Sequence, residues 1–252
     1  METINQTIAP KDSKIFYSLL QADFAVQWRN RRALLASMLV PVVLLVAWRM
    51  LVKVYGGPFV FSTCITIGLV SVGLMGFANT TARDREKGIF QRLRITPAST
   101  RQIMVSRILV QLAQMLAMVL AVFILGFYLY HVNLGLLGYL LGAAAALIGG
   151  AVYLGLGQAV VGLISSADTV NSVSRFVYII LIVAGTVGEL GVLGSAGKKI
   201  VLWSPYGTVK MLLLSGMTHV WNSTDTWALL ATIGYLLVFV WIGIKWFHWN
   251  AD

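Results

Sequence analysis

The sequence contains few charged residues, and this scarcity excludes a soluble globular protein. Asp, Glu, Lys and Arg make up 11% of the 252 residues, and apolar side chains make up 58%. An average soluble domain has about 25% charged residues. A chain with so few polar side chains lacks the surface that a water-soluble fold needs. The composition therefore indicates a membrane protein.

Cysteine is almost absent, which excludes two kinds of site. Cys64 is the single cysteine and lies inside an apolar run, so there is no intramolecular disulfide framework and no cysteine-based zinc site. The three histidines are scattered, and no pair of them has metal-ligand spacing. Around Gly197-Lys198, a phosphate loop would need Gly at Val192 and Ser or Thr at Lys199. We therefore predict no metal site, no catalytic residues and no nucleotide site in this chain.

Six apolar runs are long enough to cross the hydrocarbon core of a bilayer, which takes about 20 residues of helix. The predicted spans are residues 34–51, 59–79, 108–130, 136–164, 176–193 and 227–247. Gly56, Gly57 and Pro58 form a tight link between the first two spans. The predicted fold class is an all-α membrane protein with six transmembrane helices.

Residues 1–33 are polar and precede the first span. Apolar residues recur there at helical spacing: Ile15, Phe16, Leu19, Leu20, Phe24 and Trp28. Polar residues lie between them: Lys14, Gln21, Asp23 and Gln27. The pattern predicts an amphipathic helix that lies in the membrane interface. The segment is too long and too polar before its first apolar run to be a signal peptide.

The distribution of basic residues predicts which side of the membrane each segment faces. With the N-terminus inside, 14 of the 19 Lys and Arg residues fall in inner segments and five fall in outer segments. Inner segments of membrane proteins are enriched in Lys and Arg, so both termini are predicted to be cytoplasmic. Topology thus accounts for most of the net charge of +10, and we expect no nucleic-acid partner.

The fourth span carries small residues at every fourth position: Gly138, Gly142, Ala146 and Gly150, with Gly149, Gly155 and Gly157 beside or beyond them. Small residues at this spacing let another helix approach closely in lipid. Packing within the bundle is the favoured interpretation, and a dimer seam is the alternative.

Glu189 is the candidate functional residue within the spans. It lies fourteen residues after Arg175, or about 21 Å along a helix, which places it in the outer third of the fifth span. Ionisable residues in spans are costly and are functional candidates by default. Two roles stay open for Glu189: part of the transport pathway, or a structural anchor for the outer loop, which is favoured.

The loop between the second and third spans, residues 81–107, is a long charged stretch with three apolar residues in it. Ile89, Phe90 and Leu93 share one face of a short predicted helix, surrounded by charges. An exposed apolar cluster of this kind usually docks on a partner. We therefore predict a small hydrophobic knob that protrudes into the cytoplasm.

The same loop contains signals for a break and a second helix. Pro97 disfavours helical geometry at Thr96, so the short helix is predicted to stop there. Ser99 and Gln102 have the spacing of a capping box, so a helix that starts at Ser99 is predicted to run into the third span.

These residues resemble the signature loop of type 2 ATP-binding-cassette (ABC-2) exporter permeases. The resemblance rests on Arg-Glu-Lys-Gly at 85–88, on Leu93, and on Thr96-Pro97 followed by Ser99. It extends to the interfacial helix, the six spans, and Ser204-Pro205-Tyr206 leading into a short helix before the last span. Ile89 departs from the pattern, because family members often have Thr there.

The resemblance implies a transport subunit, not an enzyme, in which residues 1–33 form a tail with an interfacial connecting helix and 34–252 form the membrane domain. Short re-entrant helices are expected in the outer segment 194–226. Glu86, Gly88, Leu93 and Pro97 are the implied ATPase-coupling positions, and Phe90 joins them through the apolar face. The implied partners are a second permease copy or close relative, and two copies of a cytoplasmic ABC ATPase that bind ATP and Mg²⁺.

The predicted function is ATP-driven export of an amphipathic, drug-like or lipid-like molecule across the cell membrane of a bacterium. The alternative is an ion-coupled secondary transporter, which would be marked by acids near the membrane midplane or by inverted repeats. The sequence shows neither, apart from the off-centre Glu189. A membrane-embedded enzyme would need polar residues clustered at matched depth, and none are clustered in this way.

Overall fold

The computed structural model describes residues 12–94, 98–192 and 194–246, and the regular structure within these ranges is entirely helical. One segment, Ser71–Ala78, is π-helical, and it lies between α4 and α5. The α-helices are α1 (Asp12–Arg29), α2 (Arg31–Ala47), α3 (Arg49–Tyr55), α4 (Gly57–Val70), α5 (Asn79–Glu86), α6 (Ile89–Arg94), α7 (Thr100–Tyr130), α8 (Gly135–Leu163), α9 (Ala167–Glu189), α10 (Gly194–Trp203), α11 (Pro205–Thr218) and α12 (Ser223–Lys245).

Within the described residues, five helices are long and apolar enough to cross a membrane. They are Gly57–Glu86, Arg101–Tyr130, Gly135–Leu163, Ala167–Glu189 and Ser223–Lys245. A sixth span is formed if the bent pair Met38–Ala47 and Arg49–Tyr55 counts as one. The all-α membrane fold is confirmed, with five or six spans.

The first predicted span is not one straight helix, because α2 and α3 meet at an angle of 67°. The bend at Trp48 carries Arg49 and Lys53 to a cavity at the end of α7, which Tyr130 and His131 also line. Charged side chains are costly among apolar helices, so the end of the bundle is the favourable place for them.

Two of the predicted spans lie within helices that extend well beyond them. The helix that contains the second predicted span continues past Asn79 to Glu86, and the helix that contains the fifth begins at Ala167, before Phe176. Both extensions contain polar residues, which hydropathy alone excludes from a span. The chain stays helical in these extensions because polar groups there bond to neighbouring elements, as described below for Arg85 and Glu86.

Successive long helices run in alternating directions, which defines two ends of the bundle. The loop end holds α6 and the connection between α8 and α9, where Arg85 of α5 contacts Ile164. The cap end holds the links before α4 and α8, where Gly57 packs against Val132. The α10–α11 pair enters the bundle from the cap end.

The small residues of α8 pack against other helices of the same chain. A Cβ atom at Gly149 would lie 2.4 Å from Val209 of α11, and one at Gly142 would lie 2.9 Å from Met217. At Gly157 it would lie 2.4 Å from the carbonyl oxygen of Gly73 in the π-helical segment. The prediction that this stripe serves packing within the bundle is confirmed.

The predicted short helices before the last span are present as α10 and α11. Ser204 caps α11 by accepting a hydrogen bond from the Gly207 amide at 3.2 Å. The Tyr153 hydroxyl of α8 donates to the Pro205 carbonyl at 3.1 Å, while the other end of α11 lies beside Gly138. The fourteen residues of α11 span about 21 Å, so this helical hairpin reaches deep along α8.

Candidate functional site

The loop predicted from the sequence to couple to a partner is a helix–turn–helix at the loop end. Gly88 adopts φ +65°, a conformation that favours glycine, and this residue separates α5 from α6. Ser99 and Gln102 form the predicted capping box at the start of α7, with bonds of 3.3 and 2.9 Å. Pro97 lies outside the described residues.

Arg85 ties the end of α5 to the end of α8. Its guanidinium donates to the carbonyl oxygens of Val161, Ile164 and Ser165 at 2.8, 2.6 and 2.5 Å. Carbonyls in the last turn of a helix have no partner within the helix, and a cation is favourable there. With 3% of its surface exposed, Arg85 is a buried cation that satisfies these groups.

Glu86 makes the complementary contact, as an anion at the start of the next helix, α9. Its Oε1 accepts a hydrogen bond of 2.6 Å from the backbone amide of Ala167, the first residue of α9. Helix N-termini have unpaired amides and favour negative charge. The consecutive residues Arg85 and Glu86 therefore hold the C-terminus of α8 and the N-terminus of α9. We call these four hydrogen bonds the α8–α9 clamp. Contact between Glu86 and an ATPase subunit stays a prediction.

Phe90 is not exposed, so the predicted knob of three apolar side chains is wrong in this respect. The ring is 1% exposed, and the guanidinium carbon of Arg107 lies 4.6 Å from its centroid. Ile89 and Leu93 are half-buried. The helical pattern placed the three residues on one face but carried no information on α7, which covers the ring. A coupling role for Gly88, Phe90 and Leu93 stays a prediction.

Arg107 is a site residue that the sequence did not single out. It pairs with Asp84 of α5 at 2.6 Å and stacks over Phe90 of α6, so one side chain of α7 holds both helices of the loop. Nothing in the local sequence distinguishes Arg107 from the other basic residues of this stretch. Its partners Asp84 and Phe90 lie 23 and 17 residues earlier in the chain, so no local pattern reveals the contacts.

The N-terminal helix α1 packs on α7 through polar side chains. Ser106 donates to the Asp23 carboxylate at 2.5 Å, and Gln27 bonds to Gln114. Asp23 and Gln27, two polar residues of the predicted amphipathic helix, are half-buried because α7 supplies polar partners for them, and the position of α1 in the membrane interface stays a prediction. Burial raises the pKa of the Asp23 carboxyl above its ordinary value of 3.8, and the Ser106 bond opposes the rise.

At the cap end, Glu189 forms an ion pair with Lys210 of α11. Lys210 is 3% exposed, and its ammonium lies 3.6 Å from the centroid of the Phe59 ring in α4. The pair joins the end of α9 to the helical hairpin, which is the contact that an outer-loop anchor requires. Lys210 was counted from the sequence only as an outer basic residue. A role for Glu189 in the pathway stays a prediction.

At the loop end, hydrogen bonds, the Arg107–Asp84 ion pair and the Arg107–Phe90 contact join the described helices to one another. In the part of the chain that the structure describes, no three His, Cys, Asp or Glu side chains come together to hold a metal ion. The family described as ABC-2 family transporter protein matches residues 53–245, which include the whole loop and the helical hairpin. The chain belongs to this family.

Family membership makes this permease a transport subunit and a multi-pass membrane protein, and it implies an ABC ATPase subunit as partner. The resemblance inferred from the loop residues is confirmed by the family match. Helix α1 and most of the bent pair precede the matched residues. No curated protein matches the permease.

Proposed function

We propose that the permease is the membrane subunit of an exporter that moves an amphipathic, drug-like or lipid-like molecule outward. The energy comes from hydrolysis of ATP, which a separate ABC ATPase binds together with Mg²⁺. The assembly contains two ATPase copies and two permease copies, or one permease and a close relative, in the plasma membrane of a bacterium. Both termini and the loop end face the cytoplasm.

The observation that supports this proposal is the α8–α9 clamp. A displacement of α6 passes through the turn at Gly88 into α5, and Arg85 and Glu86 connect α5 to α8 and α9. Coupling between two sites needs a stiff element whose position both sites bias. Three bonds from the buried Arg85 guanidinium connect the loop to the end of α8, and the Glu86 bond connects it to the start of α9.

The second support is the placement of basic residues relative to the bundle ends. The loop end holds α5, α6 and the start of α7, and seven Lys and Arg residues lie between positions 83 and 107, as the positive-inside rule expects of a cytoplasmic segment. The cap end holds Arg49, Lys53 and the α10–α11 hairpin. A cytoplasmic loop end agrees with the bias in the sequence.

The proposed route for the cargo between α3, α4 and α9 is narrow in the described conformation. The cavity between α3, α4 and α9, lined by Thr63, Thr186 and Glu189 among others, is about 30 Å³. Ligand sites for drug-sized molecules are about 300–1,000 Å³. Transport along this route therefore requires these helices to separate, which is the movement that ATP binding and hydrolysis would drive.

Leu93→Asp tests the docking of α6 on the ATPase. We expect the variant to insert normally but to lose the ABC ATPase that co-purifies with the wild-type permease, identified by mass spectrometry and by ATP hydrolysis in the eluate. Val192→Asp is the matched control, because Val192 is an apolar residue beyond α9 with 72% exposure. Phe90→Asp is unsuitable, since it buries a charge. Retention of the ATPase by Leu93→Asp would contradict the docking role.

Transport in inverted membrane vesicles distinguishes the exporter from the secondary transporter. We expect uptake of a fluorescent amphipathic dye that requires ATP and persists when an uncoupler collapses the proton gradient. Vesicles that contain the Leu93→Asp permease should lose this uptake. Uptake driven by a proton gradient without ATP would favour the secondary transporter instead.

A further inference from the structure

A cavity at the cap end combines two lysines, one carboxylate and apolar walls. It lies between Phe59 of α4, Glu189 of α9 and the α10–α11 hairpin, and its volume is about 200 Å³. We call it the lysine cavity after Lys198 and Lys210. An engineered protein cavity of about 150 Å³ binds benzene, so this space holds a small headgroup with its first few carbon atoms.

The charges of the lysine cavity do not balance. Lys210 pairs with Glu189, whereas Lys198 forms no salt bridge with any residue that the structure describes. The described lining contains no second carboxylate. Two ammonium groups against one carboxylate leave a net charge of +1, which favours one monovalent anion and disfavours a cation.

The donors of Lys210 also allow a further partner. An ammonium group has three N–H donors and no acceptor. Lys210 donates to Glu189 and lies over the Phe59 ring, which leaves a donor for an anionic oxygen. Lys198 is exposed at the mouth of the same cavity. An anion entering the cavity therefore meets an exposed cation first and a buried cation behind it.

The remaining walls are apolar and come from both helices of the hairpin: Val201, Leu202, Met211 and Leu214. Walls of this kind bury an alkyl chain, because moving apolar surface out of water is favourable. We propose that the lysine cavity binds an amphiphile that carries a single anionic group, with that group between Lys198 and Lys210 and the alkyl chain against these walls. This site exists whether or not the same molecule is exported.

Photolabelling of the full-length permease in nanodiscs of zwitterionic phosphatidylcholine tests the proposal. The probe is decanoate carrying a diazirine group, and labelled peptides are mapped by mass spectrometry. We expect labelling of α10 and α11 that is displaced by unlabelled decanoate and not by decylamine, which has the same chain and the opposite charge. Equal displacement by decylamine would overturn the proposal.

Two lysine variants provide the matched comparison. Lys198→Gln should weaken decanoate competition about five-fold, as expected for the loss of one partly exposed ion pair. Lys199→Gln should leave it unchanged, because Lys199 is the neighbouring exposed lysine and does not line the cavity. Both variants change exposed positions, and unchanged thermal stability verifies their folding. Equal effects of the two variants would also overturn the site.

Anionic lipid added to the nanodiscs identifies the source of the ligand. Competition by phosphatidylglycerol would assign the site to a lipid of the bilayer, and failure to compete would assign it to a free amphiphile. Either result supports the lysine cavity, provided that Lys198→Gln weakens binding and Lys199→Gln does not.

Discussion

Among the residues whose burial the structure describes, two cations are buried, at opposite ends of the bundle, and they are satisfied in different ways. Arg85 and Lys210 are each 3% exposed. Arg85 donates to three backbone carbonyls at the end of α8, whereas Lys210 pairs with one carboxylate side chain and an aromatic ring. A guanidinium has five donors in a fixed plane, and an ammonium is a compact charge on a flexible stem.

This difference determines whether substitutions can remove both partners of a contact. The partners of Arg85 are carbonyls, which every residue has, so no substitution removes them together with the cation. The partner of Lys210 is the side chain of Glu189, so both charges can be replaced at once. The loop end is thus joined by a fixed clamp, and the cap end is joined by an exchangeable pair.

Arg85→Met should have the largest effect, because it removes all donors and leaves three carbonyls without their partner. We expect a loss of about 3 kcal/mol in the free energy of unfolding, measured by denaturant titration in mixed micelles. Arg83→Met is the matched control, since Arg83 is an exposed arginine two residues earlier in the same helix. Equal stability of the two variants would mean that the clamp contributes nothing.

Lys210→Met should have the next largest effect, because it leaves the Glu189 carboxylate without its cation. We expect a loss of about 2 kcal/mol in the same titration, less than for a fully buried pair because the Glu189 side chain is 19% exposed. The double variant Lys210→Met with Glu189→Gln should be more stable than Lys210→Met alone by about 1 kcal/mol, since neither charge then remains. If the losses from Lys210→Met and Glu189→Gln simply added in the double variant, Lys210 and Glu189 would not be energetically coupled. The proposed difference between the clamp at the loop end and the ion pair at the cap end would then be wrong.

Glu86→Ala should have the smallest effect, a loss of about 1 kcal/mol that is confined to the start of α9. Hydrogen exchange should become faster at the Ala167 amide, because that group loses its acceptor. Glu86→Gln should lose about half as much, since the side-chain amide oxygen still accepts the bond. Lys87→Ala, at the adjacent exposed position, is expected to leave exchange at Ala167 unchanged.

Local signals in the sequence predicted the features that depend on neighbouring residues. Ser99 and Gln102 form a capping box because both partners lie within one helical turn. Helix α11 starts after Ser204 for the same kind of reason, because the Ser204 side chain accepts a hydrogen bond from the nearby Gly207 amide. The apolar runs gave the long helices because length and hydropathy are properties of a single segment.

Features that depend on distant residues were missed or placed wrongly. Phe90 is buried with Arg107 of α7 stacked over its ring, a contact that the pattern of α6 does not contain. The sequence shows Asp23 as a polar residue of α1 but does not indicate its partner Ser106, 83 residues away. Lys210 is buried because Glu189 and Phe59 meet it from two other helices. No periodicity in α1, α6 or α11 carries that information.

The contact between Gly157 and Gly73 has a consequence for how the bundle deforms. An added methyl group at Gly157 would lie 2.4 Å from the Gly73 carbonyl oxygen, so the two backbones touch with no side chain between them. Packed backbones have no rotamers to adjust, and sliding by one residue would bring a side chain against a carbonyl. The π-helical segment is therefore joined to α8 at this height, and α5, which follows it, is joined to the end of α8 through Arg85. A rotation imposed on α5 at the loop end is therefore expected to turn α8 with it, because the two are connected at both heights.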